Sequence, residues 1–189
     1  CEQCGFTLAA LDQALGIPPS LKPDVSDLAN EFTAKEMRQL QALSARLGRR
    51  FPQVRFVIVS CRPPSNITLP LYAFWLFNRG GVSSAVEKGG ANRVIMLMID
   101  GERHRATSII GYGLEPFLGE HHLAEALDTM RQHLVADEPV KAIEAFFENM
   151  ALQLESIAKT AALTYGLQGV EFQSISTLLQ PDEAPALAY

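Results

Sequence analysis

Three carboxylates in this 189-residue chain sit where chemistry could begin. Asp27, Asp100 and Glu115 each fall at a junction between expected secondary-structure elements, from which side chains can converge on one end of a sheet. Two or three such oxygens suit Ca2+ or Mg2+, hard cations that take oxygen ligands. The same positions equally suit capping and turn roles. A second group is Cys1-Glu2-Gln3-Cys4-Gly5, whose paired thiols could grip one edge of a Zn2+. Tetrahedral zinc needs four ligands, and Cys61 is the only other cysteine, so further ligands would come from outside this sequence or from a second chain. Two other readings of Cys1 stay open: a lipidated residue left after leader cleavage, or an idle thiol beside Cys4.

Other constellations fail on spacing. Gly111-Tyr112-Gly113 lacks the third glycine and the strand-to-helix setting of a dinucleotide loop. Cys61 follows a strand, but a cysteine phosphatase needs an arginine six residues on, and position 67 is Ile. The thiol reads as a small buried residue instead. Arg103-His104-Arg105 lies in a hairpin turn and reads as solvated. His121-His122 opens a helix, where neighbouring rings are expected to diverge and a metal pair would want a spacing of four. Ser60 has no evident base.

The elements that must position these groups follow from pattern. Thr33-Ala34-Lys35-Glu36 is a capping box, followed by Met37, Leu40, Leu43 and Leu47 at helical spacing, with Gly48 expected just past the end. Val54–Val59 is a short β-branched strand stopped by Pro63-Pro64. Thr68 and Pro70 open a helix through Asn78. Gly80-Gly81 and Gly89-Gly90 bracket a loop. Val94–Ile99 is apolar at every position, as in a strand covered on both faces, and Ala106–Ile110 returns as its hairpin partner. Leu123, Leu127, Met130 and Leu134 share one helix face. Asp137 can cap a last helix, with Pro139 in its first turn and a seam of Val140, Ile143, Phe147, Met150, Leu154, Ile157 and Ala161. That 3-4 spacing suits a coiled coil or a long helix laid on a sheet, and the latter is favoured. The order α-β-α-β-β-α-α predicts an α/β fold, a three-layer α/β/α sandwich around a small mixed sheet.

Composition bounds the rest. With 48% apolar residues the chain can bury a real core, and its length suits one domain. Residues 1–24 read as a tail and linker (6–30 as a stretch wrapping onto the domain), 25–166 as the domain, and 167–189 as a partly disordered extension. A net charge of −5 lacks the basic footprint of a nucleic-acid binder. The longest apolar run, Val94–Ile99, is far short of the ~20 residues of a membrane helix.

Gly111-Tyr112-Gly113-Leu114-Glu115, taken with the preceding hairpin, the Tyr72–Phe77 helix and Val25-Ser26-Asp27, resembles the TPM domain family over roughly residues 25–162. The resemblance implies a three-layer fold and an extracytoplasmic or membrane-anchored setting. It also implies either a divalent-metal-binding accessory module with a protein partner, or a metal-dependent, acid-phosphatase-like hydrolase of phosphate monoesters. Carried over residue by residue, Asp27, Glu115 and Asp100 are the implied metal ligands, with Asn92, Gly111, Tyr112 and Gly113 around the pocket. Arg93 stands where the family usually has glycine, and the turn Asp100-Gly101-Glu102-Arg103 is longer than the family's Asp-Asp-Arg.

Overall fold

A computed structural model describes residues 7–82 and 92–164. The elements run α1 (Leu8–Leu15), β1 (Val25–Asp27), α2 (Ala34–Arg50), β2 (Arg55–Ser60), α3 (Leu69–Arg79), β3 (Val94–Asp100), β4 (Arg105–Ile110), α4 (Glu120–Val135) and α5 (Pro139–Thr164). The sheet order is β1-β2-β3-β4. β1, β2 and β3 are parallel, and β4 returns antiparallel to β3. Strand β3 is buried along its whole length, as its unbroken apolar run requires of a central strand.

Alternation along the strands divides the core in two. Phe56, Ile58, Ile95, Leu97 and Ile99 meet α2, α4 and α5 on one face. Val57, Val59, Met96 and Met98 meet α1 and α3 on the other. The expected three layers are therefore present. Phe147 of α5 packs edge-on against Phe56 of β2 at 5.7 Å, so the long apolar seam lies on the sheet, with α4 beside it.

Several boundaries move. The stretch read as linker contains α1 and β1. Thr7 accepts from the Ala10 N–H as N-cap, and Leu8, Leu11 and Leu15 pack into the second core. Asp12 fixes this short helix to α3, accepting from Trp75 Nε1 at 2.9 Å and pairing with Arg79 at 2.6 Å. The capping box at Thr33 and Glu36 forms as expected, but α2 runs through Gly48 to Arg50, because Leu47 accepts from Phe51 and no left-handed residue interrupts it. Asp137 does not cap α5. It adopts a left-handed φ of 57°, and Glu138 O accepts the first helical bond, from Ala142. Cys1, Cys4, Gly89-Gly90 and residues 167–189 lie outside the described residues, and the zinc-knuckle reading lies there with them.

Candidate functional site

The carboxyl ends of the three parallel strands bring Asp27, Ser60 and Asp100 to one edge of the sheet. This is where ligands gather in open α/β sheets. Each group is held there by its neighbours. Asp27 Oδ1 accepts from the Glu31 N–H at 2.9 Å and from the Ser60 hydroxyl, and its Oδ2 accepts from the Phe32 N–H at 3.1 Å. Asp27 thereby shapes the turn that carries the chain from β1 into α2. Ser60 is fully buried, and its Oγ also accepts from the Ala29 N–H.

Asp100 is wholly buried and accepts from Arg105 at 2.7 Å, from Arg103 Nη1 at 3.2 Å and from the Arg103 N–H at 3.3 Å. Two guanidiniums on one buried carboxylate offset its desolvation while keeping their own outer faces in water. Arg103 also donates to Pro63 O, which ties the hairpin to the loop after β2. Arg62 pairs with Glu102 across the same rim at 3.1 Å.

Glu31 completes this edge. One of its oxygens accepts from the Gly101 N–H at 3.3 Å; the other, Oε1, is buried with no partner among the described residues. Burial raises its pKa, and the nearby Asp100 and Asp27 charges add to the rise. Cys61 lies alongside. Burial, with Asp100 and Glu31 close by, pushes its thiol up to about 12, so it carries no thiolate near neutrality.

The glycine signature occupies the opposite end. Gly111 donates to Val94 O and Gly113 to Asn92 O, at the start of β3. Seven residues of strand separate this end from Asp100, about 20 Å at the usual rise. A Cβ on Gly111 would come within 2.2 Å of Asn92 O, so only glycine fits the crossing. Asn92 is 7% exposed, and its Oδ1 has no hydrogen-bond partner among the described residues. Leu114 and Leu118 anchor the loop in the core, while Tyr112 stands 66% exposed and Glu115 faces solvent.

The structure thus unites Asp27 with Asp100 and places Glu115, Asn92, Gly111, Tyr112 and Gly113 at the far end. The three expected ligands do not converge. The chain leaves β4 in the direction opposite to β3, so the residue after the glycines must lie at β3's beginning. Nor is the Arg103-His104-Arg105 segment merely solvated, since both arginines bind Asp100. His121 and His122 also depart from expectation. Their rings lie 3.8 Å apart, because His122 Nδ1 turns back to accept from the Gly119 N–H at 3.0 Å.

Sequence reasoning passed over Glu31, Ser60, Arg103 and Arg105 as members of the site. Glu31 carried a usable signal, sitting four residues after Asp27 and ahead of the capping box.

The donor set bears on a divalent cation. Among the described residues, no group of three His, Cys, Asp or Glu side chains is arranged to hold one. Asp27 spends its oxygens on two N–H groups and a hydroxyl, and Asp100 gives Oδ2 to two guanidiniums and Oδ1 to the Arg103 N–H. These residues, as placed, do not fit Ca2+ or Mg2+, which require several free oxygen ligands.

Comparison with solved structures finds the same fold elsewhere. The N-terminal domain of a protein from P. gingivalis matches with a TM-score of 0.51 and 22% identity, covering 70% of this chain and 82% of that one. The N-terminal domain of a Corynebacterium glutamicum protein matches with a TM-score of 0.53 and 14% identity, covering 72% and 82%. No curated protein matches the sequence. The model of the TPM domain matches residues 25–153, from the first strand of the sheet well into α5. This chain belongs to the TPM domain family.

Proposed function

We propose that this TPM domain acts as an accessory or interaction module rather than as a hydrolase of phosphate monoesters. One observation carries the reading: the candidate nucleophiles Ser60 and Cys61 and both aspartates at the carboxyl edge are already committed inside the fold. Ser60 is buried and donates to Asp27, the Cys61 thiol stays protonated, and Asp100 is paired with two arginines. A nucleophile needs an adjacent base and access to substrate, and neither Ser60 nor Cys61 has both. The opposite end is built for display. A pinned glycine loop holds Tyr112 outward, and tyrosine is enriched where proteins meet.

The rival is a metal-dependent phosphatase. Glu31 Oε1 is the one carboxylate oxygen at this edge that is buried without a hydrogen-bond partner among the described residues, so a cation would have to enter there and displace existing bonds.

The test is hydrolysis of an aryl phosphate between pH 5 and pH 8, with and without Ca2+ or Mg2+, by wild type and Asp27→Asn. Background turnover in both, unchanged by metal, is expected. Metal-dependent turnover that Asp27→Asn abolishes, with the fold intact by circular dichroism, would overturn the proposal.

A further inference from the structure

Helices α2 and α4 close their first turns with different chemistry. In α2 the Glu36 carboxylate, three residues after the N-cap, accepts from the Thr33 N–H at 2.8 Å, the usual capping box. In α4 the N-cap is Gly119, which has no side chain to offer. His122 takes the place of the glutamate, its Nδ1 accepting from the Gly119 N–H at 3.0 Å while its own N–H donates to Gly119 O at 3.1 Å. A carboxylate keeps its acceptor oxygens down to about pH 4, whereas an imidazole changes charge between about pH 5 and 8. A backbone N–H only donates, so Nδ1 must carry a lone pair. A proton on Nδ1 and the bond from Gly119 exclude one another.

We propose that His122 is a pH-sensitive latch. As pH falls through the imidazole range, a proton on the ring displaces the Gly119 N–H and opens the junction between the Tyr112 loop and α4. The neighbouring ring strengthens the response. His121 lies 3.8 Å from His122, and its Nδ1 would be 3.1 Å from a Cβ on Gly119, so both rings fold over the glycine. Positive charge is disfavoured at a helix N-terminus, and two imidazoliums at that spacing repel. The proton therefore drives a ring outward. Water has access, since His121 is exposed and His122 partly so.

The surroundings allow the ring to leave. Glu120 and Glu125 on α4 itself and exposed Glu115 in the preceding loop supply negative charge for an imidazolium that has swung into water. Helix α5 meets His122 with uncharged groups: Gln153 Nε2 donates to His122 O at 3.0 Å and to Asn149 Oδ1. Glu155, two residues on, is turned to Arg50. Strand β4 reaches this end with Ile109 and Ile110. The other end of the loop is held by backbone bonds, from Gly111 to Val94 O and from Gly113 to Asn92 O. The loop is thus fastened at its start at every pH, and at its exit only while His122 is neutral.

Amide hydrogen exchange on the full chain, read by NMR and corrected for the intrinsic rate, tests the latch. Exchange at Gly119 should rise about fivefold between pH 7.5 and pH 5.5, the usual worth of one side-chain cap. Exchange at Gly111 and Gly113 should stay level. His122→Gln keeps an acceptor that no proton removes in this range, so its Gly119 protection should be flat with pH. In the wild type the His122 ring and the Gly119 amide shift should titrate with one midpoint, a readout that decides alone if the variant does not fold. A Gly119 amide indifferent to pH overturns the inference, as do separate midpoints. So does a pH response that survives in His122→Gln, or one shared equally by Gly111 and Gly113. As regulation, the latch rests on the reading of the Tyr112 loop as a displayed surface. Its readouts need neither partner nor turnover, so its failure and the failure of that reading are told apart.

Discussion

The two ends of the sheet solve the same problem, joining β3 to its surroundings, by opposite physics. At the carboxyl end the chain uses charge. Asp100 is taken fully out of water and held by Arg103 and Arg105, while Asp27 and Glu31 gather the neighbouring turn through N–H donors. At the amino end it uses closeness. Gly111 passes Asn92 where no side chain fits, and backbone N–H groups rather than ions fasten the loop. A charged edge tolerates small shifts because guanidiniums reach and adapt, whereas a backbone crossing cannot. Gly111 and Gly113 fall at the amino end, and the constraint on Gly111 is steric before it is chemical.

That contrast is broken most directly by Gly111→Ala. The added methyl would meet Asn92 O at 2.2 Å, a backbone atom that cannot rotate away. Overpacking of this kind costs about 3 kcal/mol, the upper end of the usual range. Urea unfolding of the variant should show that loss, with little dependence on pH because no ionisable group is involved. A loss below about 0.5 kcal/mol would mean the crossing relaxes easily and the steric account of Gly111 fails.

The same contrast explains what could be read from sequence. Close packing leaves a local mark, glycine flanking tyrosine after a strand, and the loop was recognisable from five residues. The elements were equally legible where periodicity ran long, as in α2, β3 and α5. The charged edge left no such mark. Its members come from three separate segments, around Asp27, Ser60 and Asp100, and only the parallel register of β1, β2 and β3 brings them together. Junction position alone groups Glu115 with Asp27 and Asp100, but the antiparallel return of β4 sends it to the other end. Helix α1 escaped because eight residues give too little periodicity to outweigh the prolines that follow.

Asp100→Asn tests the charged end at intermediate size. The amide keeps the shape but removes the ion that two guanidiniums share, and one of its atoms then presents hydrogens to them. Breaking a fully buried ion pair from one side can cost about 3–5 kcal/mol, but here Arg103 and Arg105 are 43% and 44% exposed and can turn to water. About 2 kcal/mol is therefore expected in the same urea experiment, smaller than for Gly111→Ala. The reverse order would make charge, not closeness, the stricter of the two constraints.

Glu31→Gln has the smallest effect, and its sign sharpens the comparison. Burial raises the Glu31 pKa above the ordinary glutamate value of 4.5, so the folded state holds that proton more tightly than the unfolded chain does. A raised folded pKa contributes stability that is complete below the unfolded value and lost as pH rises through the folded one. At neutral pH the wild type has lost it, since a charged carboxylate then sits buried beside Asp100 and Asp27. The substituted glutamine carries no charge and keeps the oxygen that accepts from Gly101. The variant should therefore be the more stable protein at pH 7, by less than about 1 kcal/mol because Glu31 retains contact with solvent. The advantage should shrink as pH falls and close below about pH 4.5, where Glu31 is neutral in both states. Thermal melts of both proteins across that range measure the closing gap. A constant difference would assign the effect to shape, and the carboxyl edge would then resemble the amino edge after all.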